Sequence, residues 1–358
     1  MALSPCSALA GRPSQQPREC SYQEWSVLEQ CNLVLFCVEP DDTAAAAAAF
    51  AKLVTPGNDA AVISLQPGVK NSAAFKDALR DKKVVLLDGA VGISVARRPA
   101  DGSYRCLNRR GGCLVVQRVS KEDSERAVKF LNLLSTVDIP LLYRRTVTPY
   151  TWGAALYATG DAAAALSGLP LRNYLRSWHG RLVWAAMMRE GVAATGRAAE
   201  RAGAHVEGDN AWAPQNPCGK QSFAQLEALL CLPTPLFALA AWWLLPAPPG
   251  MAPAMQADLR EGRETAARWT LDEIVQAGRT YSVPTPACDA VRAALRAAVE
   301  KKEGVPSIRP EALYAACLGG DSRGGGTPAA CLAAARRVYA KQIAAFLLML
   351  ALGWLLAR

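Results

Sequence analysis

Residues that could support metal or nucleophilic chemistry are few in this chain, and they are poorly spaced for it. There are two histidines, His179 and His205, and eleven cysteines between Cys6 and Cys331. The cysteines form no CxxC pair, and no Cys/His quartet has the ligand spacing of a tetrahedral zinc site. An odd number of cysteines scattered over a long chain reads as reduced, mostly buried thiols. Each histidine reads as an exposed or locally bonded imidazole, on a helix or in the loop after it. The Arg109–Gly112 stretch, Arg-Arg-Gly-Gly, has the donors to hold a phosphate but reads first as an exposed turn. No nucleophile, base and oxyanion donors fall together in the sequence. No metal and no cofactor are expected.

The elements that would have to position any site divide the chain in two. An apolar share of 51% with 20% charged residues describes a folded chain, and 358 residues allow two ordinary domains. In the first half, Asn32–Val38, Ala60–Leu65 and Lys83–Ala96 are apolar runs of strand type. Between them lie an alanine-rich helix reaching Leu53, capped by Asp42 or Thr43, and a helix over about Ser72–Leu79. Strands alternating with helices predict a parallel sheet covered on both faces. Ser103–Arg118 reads as a hairpin that turns at Arg109–Gly112. After Thr146 only helical patterns remain: Thr148–Ser167, Leu171–Ala204, Ser222 to about Leu245 with Pro233 and Pro235 inside it, Met255–Ala277 and Cys288–Lys302. The apolar stretch from Leu232 to Gly250 reads as a buried core helix, since its prolines and length do not suit a membrane span.

The ends are of another character. Residues 1–31 form an extension whose first sixteen residues are Ser/Pro-rich, with a single arginine, Arg12, and no acids, which weakly resembles an organelle transit sequence. Residues 318–341 read as a flexible linker followed by a basic segment containing Arg336, Arg337 and Lys341. Within 342–358, Ile343–Ala357 is an unbroken apolar run of about fifteen residues, roughly 22 Å as a helix against a hydrocarbon core of about 30 Å. It shows no polar face and is expected to be a C-terminal transmembrane helix, with Lys341 and Arg358 snorkelling to the interfaces. Its moderate length and basic flanks suit a mitochondrial membrane. The formal net charge of +9 favours an anionic neighbour, but without an aromatic-studded basic run no nucleic-acid partner is expected.

The order sheet then helices, with Ser64–Asn71 (SLQPGVKN), Trp152–Pro170 (WGAALYATGDAAAALSGLP) and Met255–Pro286, resembles the ketopantoate reductase (2-dehydropantoate 2-reductase) family over about Asn32–Ala316. The resemblance implies a Rossmann domain over 32–146, a 6-phosphogluconate-dehydrogenase-like helical domain over 147–317, and NADPH-dependent reduction of a 2-keto acid between them. The departures fall on the chemistry. The family's opening strand, GxGxxG turn and helix are missing over about seventy residues, and no GxGxxG occurs anywhere in the chain. Glu39 stands where the family has a lysine, and Pro67 replaces the asparagine of Leu-Gln-Asn-Gly. The family's lysine and two asparagines on the helix after Trp-Gly become Ala154, Ala158 and Ala162; its serine and acid further on become Ala254 and Ala266. A methyl group cannot give a proton to a carbonyl.

Residues that shape the fold persist: Trp152, Gly153, Leu166–Pro170, Glu190, Asp258, Gly262, Arg263 and Pro284–Pro286. Tyr157, Thr159 and Asp161 are polar and close in sequence to the lost lysine, but helix geometry does not oblige them to face the family's site. The reading is a catalytically silent member with an incomplete Rossmann-like sheet, acting as an accessory subunit of a membrane complex such as a respiratory complex or ATP synthase. Its partners would be other subunits and lipid. The competing readings are a membrane-anchored NADPH-dependent reductase and a non-catalytic small-molecule sensor.

Overall fold

The structure is a computed structural model. It describes residues 33–54, 61–82, 84–97, 104–106, 111–118, 140–201, 213–244 and 252–319. The N-terminal extension 1–31, nearly all of the linker 318–341 and the apolar segment 342–358 lie outside the described residues. Among those described, no helix is long and apolar enough to cross a membrane. The chain divides into two compact units, one through Ala154 together with Pro217–Lys220, the other comprising 155–216 and 221–358.

The first unit is built on a five-stranded sheet in the order β1-β2-β3-β6-β7. Strands β1 (Leu33–Phe36), β2 (Ala61–Ser64) and β3 (Val85–Val91) are parallel, with Leu33 opposite Ala61 and Ser64 opposite Asp88. Strand β6 (Leu114–Gln117) runs antiparallel to β3, and β7 (Leu141–Arg144) runs parallel to β6. Helix α1 (Thr43–Leu53) and helix α2 (Asn71–Ala78) cover one face. Val34, Phe36 and Val62 from the strands meet Phe50 and Phe75 there, the Phe36 ring lying 5.3 Å from Phe50 and 4.4 Å from Phe75. Alternation places Leu33, Ile63, Val85, Leu87 and Val116 on the other face. That cluster contains no residue of a described helix, and Leu35 of the edge strand β1 is exposed. Helix cover on both faces is thus met on one face only among the described residues.

Several local expectations are corrected. The Ser103–Arg118 hairpin does not form. Instead β5 (Tyr104–Cys106) pairs back onto β4 (Val95–Arg97), and β6 joins the main sheet. Val115 and Val116 are fully buried there, and that burial outweighs local pairing with the polar Tyr-Arg-Cys strand. The single strand expected over Lys83–Ala96 is broken into β3 and β4 at Gly92. A Cβ at Gly92 would lie 2.0 Å from the Pro217 carbonyl oxygen, and Cys113 N–H donates to that oxygen at 2.9 Å, so the 217–220 segment is pinned against the sheet. Neither Asp42 nor Thr43 caps α1. A 3-10 turn over Pro40–Asp42 leads into the helix, and the Thr43 hydroxyl accepts from Gln66.

In the second unit, α3 (Thr148–Ser167) keeps the expected span; its first turns belong to the first unit. The helix expected over Leu171–Ala204 is two, α4 (Leu171–Tyr174) and α5 (Trp178–Arg201). Gly180–Met188 of α5 is buried without interruption, as befits a central helix packed by α6 (Phe223–Leu230), α9 (Leu271–Thr280), α10 (Pro286–Lys301) and α11 (Pro310–Leu318). Arg181, inside this core, spans the break between α4 and α5. It donates to the carbonyls of Leu175 (2.9 Å), Leu230 (3.1 Å) and Leu232 (3.1 Å), and stacks 4.3 Å over Phe237. Burial without a carboxylate lowers its pKa to about 10. Ser222 and Gln225 form a capping box on α6.

Helix α7 (Thr234–Leu244) reverses an expectation. It is no buried core helix: Phe237 points inward while Leu236 and Leu239 are 53% and 62% exposed. The Met255–Ala277 helix is also broken, into α8 (Ala254–Arg260), a 3-10 turn (Ala266–Trp269) and α9. Helix α11 was not foreseen.

Candidate functional site

In an open α/β sheet, ligands meet the chain beyond the carboxyl ends of parallel strands, where backbone groups and loops converge. In this sheet the place is marked by Ser64 at the end of β2, Asp88 and Gly89 on β3, the Gln66–Asn71 loop, and Thr148 and Thr151 at the start of α3. These residues surround about 30 Å³ of space, room for a water or two. Most of the polar groups are engaged by the fold. Gln66 donates to Val38 O at 3.0 Å and to the Thr43 hydroxyl at 2.6 Å, and accepts from Ser64 Oγ at 3.2 Å. Asn71 donates to the carbonyl of Pro67, closing the loop that Pro67 and the left-handed Gly68 (φ 96°) turn. Asp88 pairs through one oxygen with Lys76 at 3.1 Å, while Oδ1 is buried without a hydrogen-bond partner.

The family positions fall in different settings. Glu39 and Pro67 are both exposed in the first unit. Ala154 and Ala158 lie one turn apart on α3 and are half-buried, forming one stripe. Ala162 does not continue it: with Ala163, Ala164 and Ala165 it is fully buried in the helical core. Ala254 is exposed at the first turn of α8, and Ala266 is half-buried at the start of the 3-10 turn.

Asp161 lies on the same helix as Ala154 and Ala158. Seven residues beyond Ala154, it returns to within about 20° of it around the helix, so it shares the stripe of Ala154 and Ala158. Burial pushes its carboxyl up from 3.8 to about 6. The spacing could have identified the stripe, but desolvation is not legible in sequence. Its neighbours have other duties: Thr159 donates to its own helix at Leu156 O, 2.7 Å, and Tyr157 stands edge-on to Trp184 at 5.4 Å.

The persistent residues act in the fold. Both carboxylate oxygens of Glu190 accept from the Ala287 and Cys288 N–H groups at 2.9 Å, capping α10, although burial still raises its pKa. Asp258 accepts from Arg263 at 2.8 Å across a turn in which Gly262 takes φ 66°. His179 is half-buried, 3.7 Å from Glu311 and 5.0 Å from the Tyr314 ring, a locally bonded imidazole. Six free cysteines are seen among the described residues; Cys231, Cys288 and Cys317 are buried, whereas Cys37 is exposed. Among the described residues no group of His, Cys, Asp and Glu could hold a metal ion.

Comparison with known proteins agrees with the architecture. Residues 152–300 match the family described as the ketopantoate reductase PanE/ApbA C-terminal domain. A crystal structure of a PanE/ApbA family ketopantoate reductase from Ralstonia eutropha JMP134 is similar at 21% identity, covering 78% of this chain and 79% of that one, with a TM-score of 0.54. The 2-dehydropantoate 2-reductase of Methylococcus capsulatus is similar at 18% identity over 76% of each chain, TM-score 0.51. D-mandelate dehydrogenase, in a ternary structure with NADH and anilino(oxo)acetate, is similar at 13% identity over 76% of this chain and 77% of that one, TM-score 0.53. No curated protein matches the chain. At these identities the likeness establishes the fold. The helical unit therefore matches the ketopantoate reductase C-terminal domain family over residues 152–300, and the chain as a whole carries the ketopantoate reductase fold.

Proposed function

We propose that this protein is a catalytically inactive, ketopantoate-reductase-like accessory subunit of a membrane complex, held to the membrane by residues 342–358. The observation that carries the proposal is the half-buried stripe of α3, where Ala154 and Ala158 present methyl groups; the resemblance to the family implies an ammonium and an amide at those two positions. Ala162, Ala254 and Ala266 extend the same loss. Asp161 could hold a proton on that stripe, but carbonyl reduction also needs a bound hydride donor. No GxGxxG turn that would cradle a dinucleotide's pyrophosphate occurs in this sequence. No cofactor is assigned.

Two surfaces support a partner: the exposed Leu35 on edge strand β1, and the exposed Leu236 and Leu239 on α7. The moderate length and basic flanks of the C-terminal apolar run favour the mitochondrial inner membrane, where a respiratory complex or ATP synthase would be the host. The test is gentle detergent extraction, native gel separation and mass spectrometry of what co-migrates. Stoichiometric migration with a known complex supports the subunit reading. A protein that runs alone and oxidises NADPH in the presence of a 2-keto acid overturns it.

A further inference from the structure

In the second unit, away from α3, a cavity of about 310 Å³ opens between the 3-10 turn, the start of α9 and the face of α10. This is within the size of small-molecule sites, about 300–1,000 Å³. Arg292 and Arg296 stand one turn apart on α10 and point at one carboxylate, Asp272, in the first turn of α9. Asp272 accepts from Arg292 Nε at 2.8 Å through one oxygen and from Arg296 through the other. Arg292 and Asp272 are only 18% and 20% exposed, so this is a largely dehydrated pair.

One carboxylate serving two guanidiniums leaves most of their N–H donors unspent. Each guanidinium carries five donors. Arg292 uses Nε on Asp272, and its Nη1 lies 3.7 Å from Asp289, beyond hydrogen-bond length; Arg296 uses one terminal nitrogen. Asp289 is itself engaged by Thr285 and Arg279, each at 3.1 Å. Arg268 lines the cavity from the 3-10 turn, its guanidinium 5.2 Å from the Trp269 ring centre. Glu264 and Glu300 also line it, so three arginines face three carboxylates; both glutamates are exposed, and neither takes a hydrogen bond from Arg292 or Arg296. Leu295, Val299 and Ala267 supply an apolar floor.

We propose that this cavity binds a small organic anion, a carboxylate or phosphate monoester on a short aliphatic skeleton. The Arg292–Arg296 pair would take the anionic head by fork-like, charge-assisted hydrogen bonds. Asp272 holds the two forks in place, and Leu295 and Val299 cover the aliphatic part. The site is independent of the accessory-subunit reading, because its occupancy requires no partner chain.

The test is isothermal titration of the detergent-solubilised full chain with succinate, glycerol 3-phosphate and inorganic phosphate. Saturable binding of an organic anion is expected, weakened about tenfold or more by Arg296→Gln, a change at a half-exposed side chain. Val299→Phe, which fills the cavity without altering charge, should weaken the organic anions as well, and it serves if Arg296→Gln does not fold. The proposal is overturned if none of the three probes saturates by about 10 mM, or if the folded variants bind as the wild type does. Inorganic phosphate binding as tightly as both organic anions would overturn the aliphatic half of the assignment.

Discussion

Asp161 sits on the stripe formed by Ala154 and Ala158, and its carboxyl is displaced upward by burial to about 6. For an acid raised in this way, the folded state favours the protonated form. Its contribution is fully present below the unfolded value of 3.8, is lost as pH rises through about 6, and is flat above that. The displacement corresponds to about 2–3 kcal/mol. Asp161→Asn is therefore expected to stabilise the protein by about that amount at pH 7.5 and to be nearly neutral at pH 3.5, as measured by urea unfolding at both values. An equal effect at both pH values would mean that the carboxyl is not desolvated. Arg181 is the opposite case, a buried cation satisfied by carbonyls. Arg181→Ala should cost about 3 kcal/mol or more, because the carbonyls of Leu175, Leu230 and Leu232 lose a donor together.

The elements follow short-range rules where such rules suffice. The span of α3 was legible because Pro149 suits a first helical turn and Leu-Ser-Gly-Leu-Pro ends one, with Gly168 at φ 70°. The start of α6 is equally local: Ser222→Ala should remove its capping box and cost about 1 kcal/mol in urea unfolding. Where the partner is distant in sequence, local rules failed. Strand β6 left its sequence neighbour β5 for β3 and β7, and Pro217 anchors next to Gly92 from far along the chain. Gly92→Ala would drive a Cβ into the Pro217 carbonyl, so hydrogen exchange at Cys113 N–H should accelerate by an order of magnitude or more while that of α5 is unchanged.

At the scale of the molecule, the proposed partner contact rests on apolar residues left at the surface. Leu236 and Leu239 sit one turn apart on α7, and Phe237 between them holds the helix on the body. Replacing both leucines by serine should leave thermal stability within about 0.5 kcal/mol, since exposed side chains contribute little to folding. The same pair of changes should reduce co-migration with a complex on a native gel. Unchanged co-migration would assign the partner contact to another surface, the edge at Leu35 being the next to alter.

The sequence by itself determined the division into a sheet half and a helical half, the presence of a parallel sheet and the spans of α1, α2, α3 and α10. Periodicity and terminal residues act over a few positions, so a linear reading reaches them. It also determined that positions 154, 158, 162, 254 and 266 carry no side-chain donor, because a methyl group has none in any fold. The tertiary structure alone decided that Ala162 is core while Ala154 and Ala158 form a half-buried stripe, and that Asp161 joins it with a raised pKa. It likewise decided that α7 shows leucines outward and that two arginines share Asp272 over a cavity. Desolvation, strand pairing and converging charge are sums over groups far apart in the chain, and they exist only once the chain has folded.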